Sequence, residues 1–273
     1  MSDLKKKILE AVNFLKQEID GSPQIGIILG SGLGGLADDI EKIKEIKYWD
    51  IPNFPVSTVK GHEGKLIYGR LSGKEVLAMQ GRFHYYEGYT MQEVTFPVRV
   101  MKFMGVNTLI VSNAAGGVNP RFEPGDIMLI WDHINLMPEN PLRGKNDETL
   151  GPRFPSMHNA YDKDLIKLTE EVALEQGVKV VRGVYVALQG PNLETPSEYN
   201  MVRVIGGDAV GMSTVPEVIV ANHMGMRVLG ISVITNVADP YNPKPTTHEE
   251  VLDVASTAEK KLTKLIKGVL AKL

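Results

Sequence analysis

The chain has 273 residues, 43% of them hydrophobic and 23% charged, with no cysteine and a formal net charge of −3. These values fit a soluble globular protein of one large or two ordinary domains, and they exclude disulfides, thiolate nucleophiles and cysteine-based zinc sites. The slightly acidic balance offers no basic field to a phosphate backbone, and no apolar run approaches the roughly 20 residues that span a bilayer, so the expectation is a cytoplasmic protein with no nucleic acid and no membrane as partner.

Near the N-terminus Leu4, Ile8, Val12 and Leu15 recur at helical spacing among charges, which predicts a surface helix and not a signal peptide. Beyond it, short apolar runs predict strands at 24–29, 66–71, 75–79, 108–112, 127–131, 180–188 and 228–235. Amphipathic stretches predict helices at 91–104, 162–177, 215–225 and 248–270. The last is given a capping box, Thr246-x-x-Glu249, and a core-facing stripe of Val251, Leu252, Leu262, Leu265, Ile266 and Val269. No repeat, low-complexity tract or linker divides the chain. The expected architecture is therefore α/β, one domain over residues 1–273, with a central mixed, largely parallel β-sheet flanked by helices. Polar clusters at 30–35, 81–88, 112–117, 189–195 and 236–245 fall where strands are predicted to end, the edge at which open α/β sheets bind ligands.

The first cluster, Gly30-Ser31-Gly32-Leu33-Gly34-Gly35, follows a strand and presents bare amides suited to an anion. The same letters satisfy G-x-G-x-x-G, with Asp50 about 20 residues on where a dinucleotide fold puts its ribose-binding acid, and they also suit a plain tight turn. That loop alone leaves all three open. The second cluster, Gln80-Gly81-Arg82-Phe83-His84-Tyr85-Tyr86-Glu87-Gly88, places a permanent cation, an imidazole and a phenol at a strand end. Arginine suits phosphate because its planar fork donates two parallel hydrogen bonds, although a surface ion pair for Arg82 and a core ring for Tyr86 are the structural alternatives.

Six blocks in order, GSGLGGL at 30–36, GHEG at 61–64, QGRFHYYEGY at 80–89, SNAAGGVNP at 112–120, GDIMLIWDHINL at 125–136 and AVGMSTVPEV at 209–218, followed by THEEVL at 247–252, resemble the trimeric class of purine nucleoside phosphorylases. They extend over nearly the whole chain, whereas the dinucleotide alternative rests on one short motif. The resemblance implies that phosphate is held by Ser31, Arg82, His84, Ala114 and Ser213, with His62 as a further phosphate-side residue. It implies ribose contacts from Tyr86, Met212 and His248, base contacts from Glu194 and Asn236 with Leu193 flanking the ring, and Phe154 reaching into a neighbouring subunit's site. Leu193 stands where many relatives carry an aromatic, and Val237 where some carry lysine.

On that resemblance the chain is a homotrimeric pentosyltransferase of purine salvage. It would cleave inosine, guanosine and their deoxy forms to free purine and (deoxy)ribose 1-phosphate, with His84, Glu194 and Asn236 as the catalytic set. Inorganic phosphate is a co-substrate and no cofactor is expected. His133, His158 and His223 stand at no metal-ligand spacing, and no metal site is expected. Methylthioadenosine phosphorylase is the sibling alternative, and a purine-binding protein without catalysis the alternative from another class.

Overall fold

Strand β1 (Ile25–Leu29) is buried at all five positions, the continuous apolar pattern of a strand covered on both faces. It pairs in parallel with β4 (Lys74–Gln80) on one side and β5 (Thr108–Gly117) on the other, in the computed structural model of the chain, which describes residues 2–58, 63–239 and 247–273. Beyond β4 lie β3 (Lys65–Leu71) and the edge strand β2 (Glu41–Lys47), both antiparallel. Ser72 and Gly73, at φ 51° and 76°, supply the two left-handed positions that a tight β3–β4 hairpin needs.

On its other edge β5 runs parallel to β9 (Arg227–Val237) along its whole length, while its last residues, Gly116 and Gly117, pair with β8 (Ala209–Gly211). Strand β8 pairs with β7 (Val180–Ala187), β7 with β6 (Ile127–Asn135), and β6 with β9. Five strands thus close into a ring, β5-β8-β7-β6-β9, from which the remaining four extend as an open sheet. Among the described residues five strand pairings are parallel and four antiparallel.

Helices α1 (Asp3–Glu18), α2 (Met91–Val94), α3 (Phe96–Phe103), α4 (Lys163–Gln176), α5 (Pro196–Val204), α6 (Val215–His223) and α7 (His248–Lys272) flank this sheet. The predicted helix 91–104 is broken at Thr95, because Pro97 has no amide to donate and its ring cannot sit against the carbonyl four residues back. Helix α7 carries the expected stripe, with Leu262, Leu265, Ile266 and Val269 buried, and packs on β9 and α4. Its capping box is shifted by one from the prediction: Thr247 Oγ1 accepts from Glu250 N at 3.2 Å, and Glu250 Oε2 accepts from Thr247 N at 3.0 Å. The sequence Thr246-Thr247-His248-Glu249-Glu250 allows either register.

Candidate active site

A cavity of about 360 Å³ opens where these strands end, within the range of small-molecule sites. It draws Ser31 from the turn after β1, Arg82, His84 and Tyr86 from the segment after β4, and Ala114 from β5. Pro191, Leu193 and Glu194 come from the segment after β7, Met212 and Ser213 from the turn after β8, and Asn236 from β9. Ring closure makes this set possible: β7 and β8 run against β5 and β9, yet their carboxyl ends arrive at the same cavity. The 112–117 and 236–237 stretches, read from sequence as loop, are strand. A Cβ at Gly30 would lie 2.7 Å from Ser112 O and 2.8 Å from Asn113 Cα, so only glycine lets the first turn cross β5 this closely.

At one end of the cavity the chemistry is cationic and buried. Arg82, 1% exposed, donates from Nη1 to Ser213 Oγ at 2.8 Å and to Thr214 Oγ1 at 3.0 Å, and its Nε lies 3.4 Å from Glu217 Oε1. Asn113 Nδ2 donates to Thr214 Oγ1 at 2.8 Å. His84 Nδ1 stands 3.1 Å from Glu87 Oε1, and its ring stacks on Tyr86 with centroids 4.6 Å apart. Burial lowers the His84 pKa, with the Arg82 charge adding to it and the Glu87 contacts opposing, so the imidazole is held neutral. Burial alone would raise Glu87, but hydrogen bonds from His84 and from the Thr58 hydroxyl and amide outweigh it and bring its pKa to about 2. A carboxylate only accepts, which places the imidazole proton on Nδ1 and leaves Nε2 as the ring acceptor.

The far end combines a carboxylate, an amide and a phenol. Burial raises the pKa of Glu194, while a hydrogen bond from Tyr199 works the other way. The Tyr199 hydroxyl is pushed up to about 12, chiefly by burial and then by the Glu194 charge, and it also bonds the Asn236 side chain. Thr235 Oγ1 donates to Asn236 Oδ1 at 3.2 Å. These groups supply both donors and acceptors, as a heteroaromatic ring with several polar edges requires.

A family model described as the phosphorylase superfamily matches residues 24–271. Purine nucleoside phosphorylase 1 of Geobacillus stearothermophilus is 59% identical over 262 residues, covering 96% of each chain. Purine nucleoside phosphorylase 1 of Bacillus subtilis (strain 168) is 56% identical over 268 residues, covering 98% of this chain and 99% of that one. The chain belongs to the purine nucleoside phosphorylase family. Among solved structures, the Schistosoma mansoni purine nucleoside phosphorylase in complex with hypoxanthine superposes with a TM-score of 0.94 at 44% identity, covering 98% of this chain and 97% of that one. The inosine complex from the same organism superposes at 0.93 and 43%, covering 98% and 96%.

Of the residues that the purine nucleoside phosphorylase resemblance singled out, Ser31, Arg82, His84, Tyr86, Ala114, Leu193, Glu194, Met212, Ser213 and Asn236 line this one cavity. His62 lies outside the described residues, as does the side chain of His248, whose backbone opens α7. Phe154 does not line the cavity of its own chain; it is 88% exposed, with the Arg153 guanidinium 5.7 Å from its ring. The dinucleotide alternative fails on topology. Strands β3 and β4 separate β2 from β1, and Asp50 is exposed at the far edge of the sheet. Among the described residues no three His, Cys, Asp or Glu side chains gather as a metal site, and no helix is long and apolar enough to cross a membrane.

Sequence reasoning gave no role to Asn113, Tyr199, Thr214 or Glu217. Glu217 did leave a signal, a lone charge in the otherwise apolar run Val215-Pro216-Glu217-Val218-Ile219-Val220. Such a residue stays in a buried helix only when paired.

Proposed function

We propose that the chain is a purine nucleoside phosphorylase that uses inorganic phosphate to cleave the N-glycosidic bond of inosine, guanosine and their deoxy forms. The products are free purine and (deoxy)ribose 1-phosphate. The observation that carries this reading is the lining of the cavity: a space of nucleoside size brings together a buried arginine–serine set and a carboxylate–amide set. Breaking the bond leaves positive charge on the ribose and negative charge on the base, so both ends must be stabilised together.

In this reading Arg82, Ser31, Ser213 and the Ala114 amide donate to phosphate below the anomeric carbon, and His84 accepts through Nε2 from the hydroxyl of a monoprotonated phosphate. The phosphate anion stabilises the cationic sugar and then bonds to it, taking the place of a protein nucleophile. Tyr86 and Met212 lie along the sugar, and His248 is assigned to it by the family motif. Glu194 accepts from N1–H of a 6-oxopurine, and Asn236 serves N7 and O6 as the departing ring gains electron density; Leu193 flanks the ring. The exposure of Phe154 supports a homotrimer in which it closes a neighbour's site. No resident cofactor or metal takes part, and the setting is cytoplasmic.

The test is release of base from inosine, guanosine, adenosine and methylthioadenosine as phosphate is varied. Cleavage of inosine and guanosine in proportion to phosphate is the expected result. Cleavage without phosphate, or none at all, overturns it, and a preference for methylthioadenosine moves the chain to the sibling activity.

A further inference from the structure

Between β8 and α6 the backbone reverses through Ser213, Thr214 and Val215. Val215 N donates to Ser213 O at 2.8 Å, and Thr214 sits at φ 73°, ψ −54°. This is a γ-turn of the rare, strained sign, in a region that a β-branched residue enters only when its surroundings compel it. Glycine would take the turn without strain, so the threonine is there for its side chain.

The hydroxyl's bonds can be followed one proton at a time. Thr214 Oγ1 has two lone pairs and one proton, and both lone pairs are engaged, by Asn113 Nδ2 at 2.8 Å and Arg82 Nη1 at 3.0 Å. Its own proton then goes to Ser213 Oγ, 3.1 Å away. Ser213 Oγ also accepts from the second hydrogen of Arg82 Nη1 at 2.8 Å, so both of its lone pairs are used as well. The proton left on Ser213 has no role within this network. It is an obligate donor on a side chain that lines the cavity.

We propose that Thr214 is a positioning residue which, set by Asn113, fixes the direction of this chain of hydrogen bonds so that Ser213 meets the bound anion only as a donor. A phosphate oxygen without a proton is then welcomed, and the unproductive arrangement in which Ser213 turns its proton back onto Thr214 is closed off. Glu217 completes the frame by holding the Nε side of Arg82 from within α6. The inference rests on phosphate being the ligand of this end of the site.

The test compares Thr214→Val, Thr214→Ser and Thr214→Gly. Losing one directed hydrogen bond at the anion should raise the phosphate KM about tenfold in Thr214→Val, with kcat at saturating phosphate and the nucleoside KM within about twofold. Thr214→Ser keeps the hydroxyl and should match wild type. Thr214→Gly relaxes the turn, which offsets part of the cost of losing the hydroxyl, and it should still lose phosphate affinity. A Thr214→Val phosphate KM within about twofold of wild type overturns the proposal, as does a Thr214→Ser enzyme impaired as much as Thr214→Val. Thermal stabilisation by inorganic phosphate alone, measured on the same proteins, needs no turnover. A wild type that phosphate stabilises but that cleaves no nucleoside would sink the functional reading while leaving the Thr214 comparison decisive.

Discussion

At one end of the cavity Arg82, Asn113, Thr214 and Glu217 are each no more than 2% exposed, and each is fixed by its neighbours' side chains. At the other end Leu193 is 42% exposed, and Glu194, on the segment leading into α5, and Tyr199, within α5, are half-buried. Two construction principles therefore meet in one site. The end proposed for phosphate, the same in every turnover, is set in advance by packing, which lowers the cost of organising charge when the ligand arrives. The end proposed for the base is more open, with Leu193 and Glu194 on a more exposed segment.

The harshest way to break that contrast is Arg82→Ala. Phosphate dependence should weaken by a factor on the order of 100 or more, since charge-assisted hydrogen bonds are among the stronger polar contacts. Stability should fall too, by about 3–5 kcal/mol, because Glu217 is left as a buried carboxylate without its cation. Phosphate titration and urea unfolding of the same protein check both; a variant that loses only activity would mean that Arg82 is not part of the frame.

Asn236→Asp probes the more exposed end. An amide both donates and accepts and so suits a 6-oxopurine, whereas a carboxylate accepts only and favours a 6-amino group. Inosine kcat/KM should drop steeply, toward the roughly 10⁴-fold rejection possible where a site is built around a substrate hydrogen bond, and adenosine should gain relative to it. Folding should be little changed. Equal losses on both nucleosides would remove Asn236 from base selection.

A smaller effect is expected at Phe154. Its replacement by alanine should raise the nucleoside KM about threefold to tenfold with little loss of stability, because an exposed ring contributes little to the fold of its own chain. Sedimentation of an active monomer would overturn the neighbouring-subunit role.

The mildest test is pH. His84, His133 and His223 all have pKa values lowered by burial, so in the folded protein each resists a proton that the unfolded chain accepts near 6.5. The unfolded state binds more protons across that window, and stability therefore rises with pH, levelling off above about 6.5 and declining as pH falls below it. Unfolding free energies from about pH 8 down to 5 should show this slope, and His84→Gln should reduce it. A profile flat down to pH 5 would contradict the burial of these rings.

What could be read from sequence follows the same division. Strands with continuous apolar runs, such as β1 and β9, were legible because both faces are covered. The edge strand β2 was not, since Glu41-Lys42-Ile43-Lys44-Glu45-Ile46-Lys47 carries the charges that keep an edge from pairing with another chain. Asn113-Ala114-Ala115-Gly116-Gly117 reads as loop, and it is strand because β8 and β9 supply its hydrogen bonds from outside. Helix α5 buries Val202 alone and announces itself only through its cap, Thr195 with Glu198. Most residues that touch the cavity were carried by motif, Asn113 and Tyr199 being exceptions. The contacts of Asn113 and Thr214 join distant elements and no local pattern encodes them, whereas Glu217 shows only as a lone charge in an apolar run.

The closed ring also has a consequence for how the chain is made. Thr108 in β5 finds its partner at Arg227 in β9, so a chain emerging from the ribosome exposes the outer edge of β5 through the synthesis of everything between them. Pairings so distant in sequence are slow to form, and an open, apolar strand edge is where nascent proteins stick to one another. The same closure that gathers six segments around one cavity makes the arrival of β9 the step on which productive folding waits.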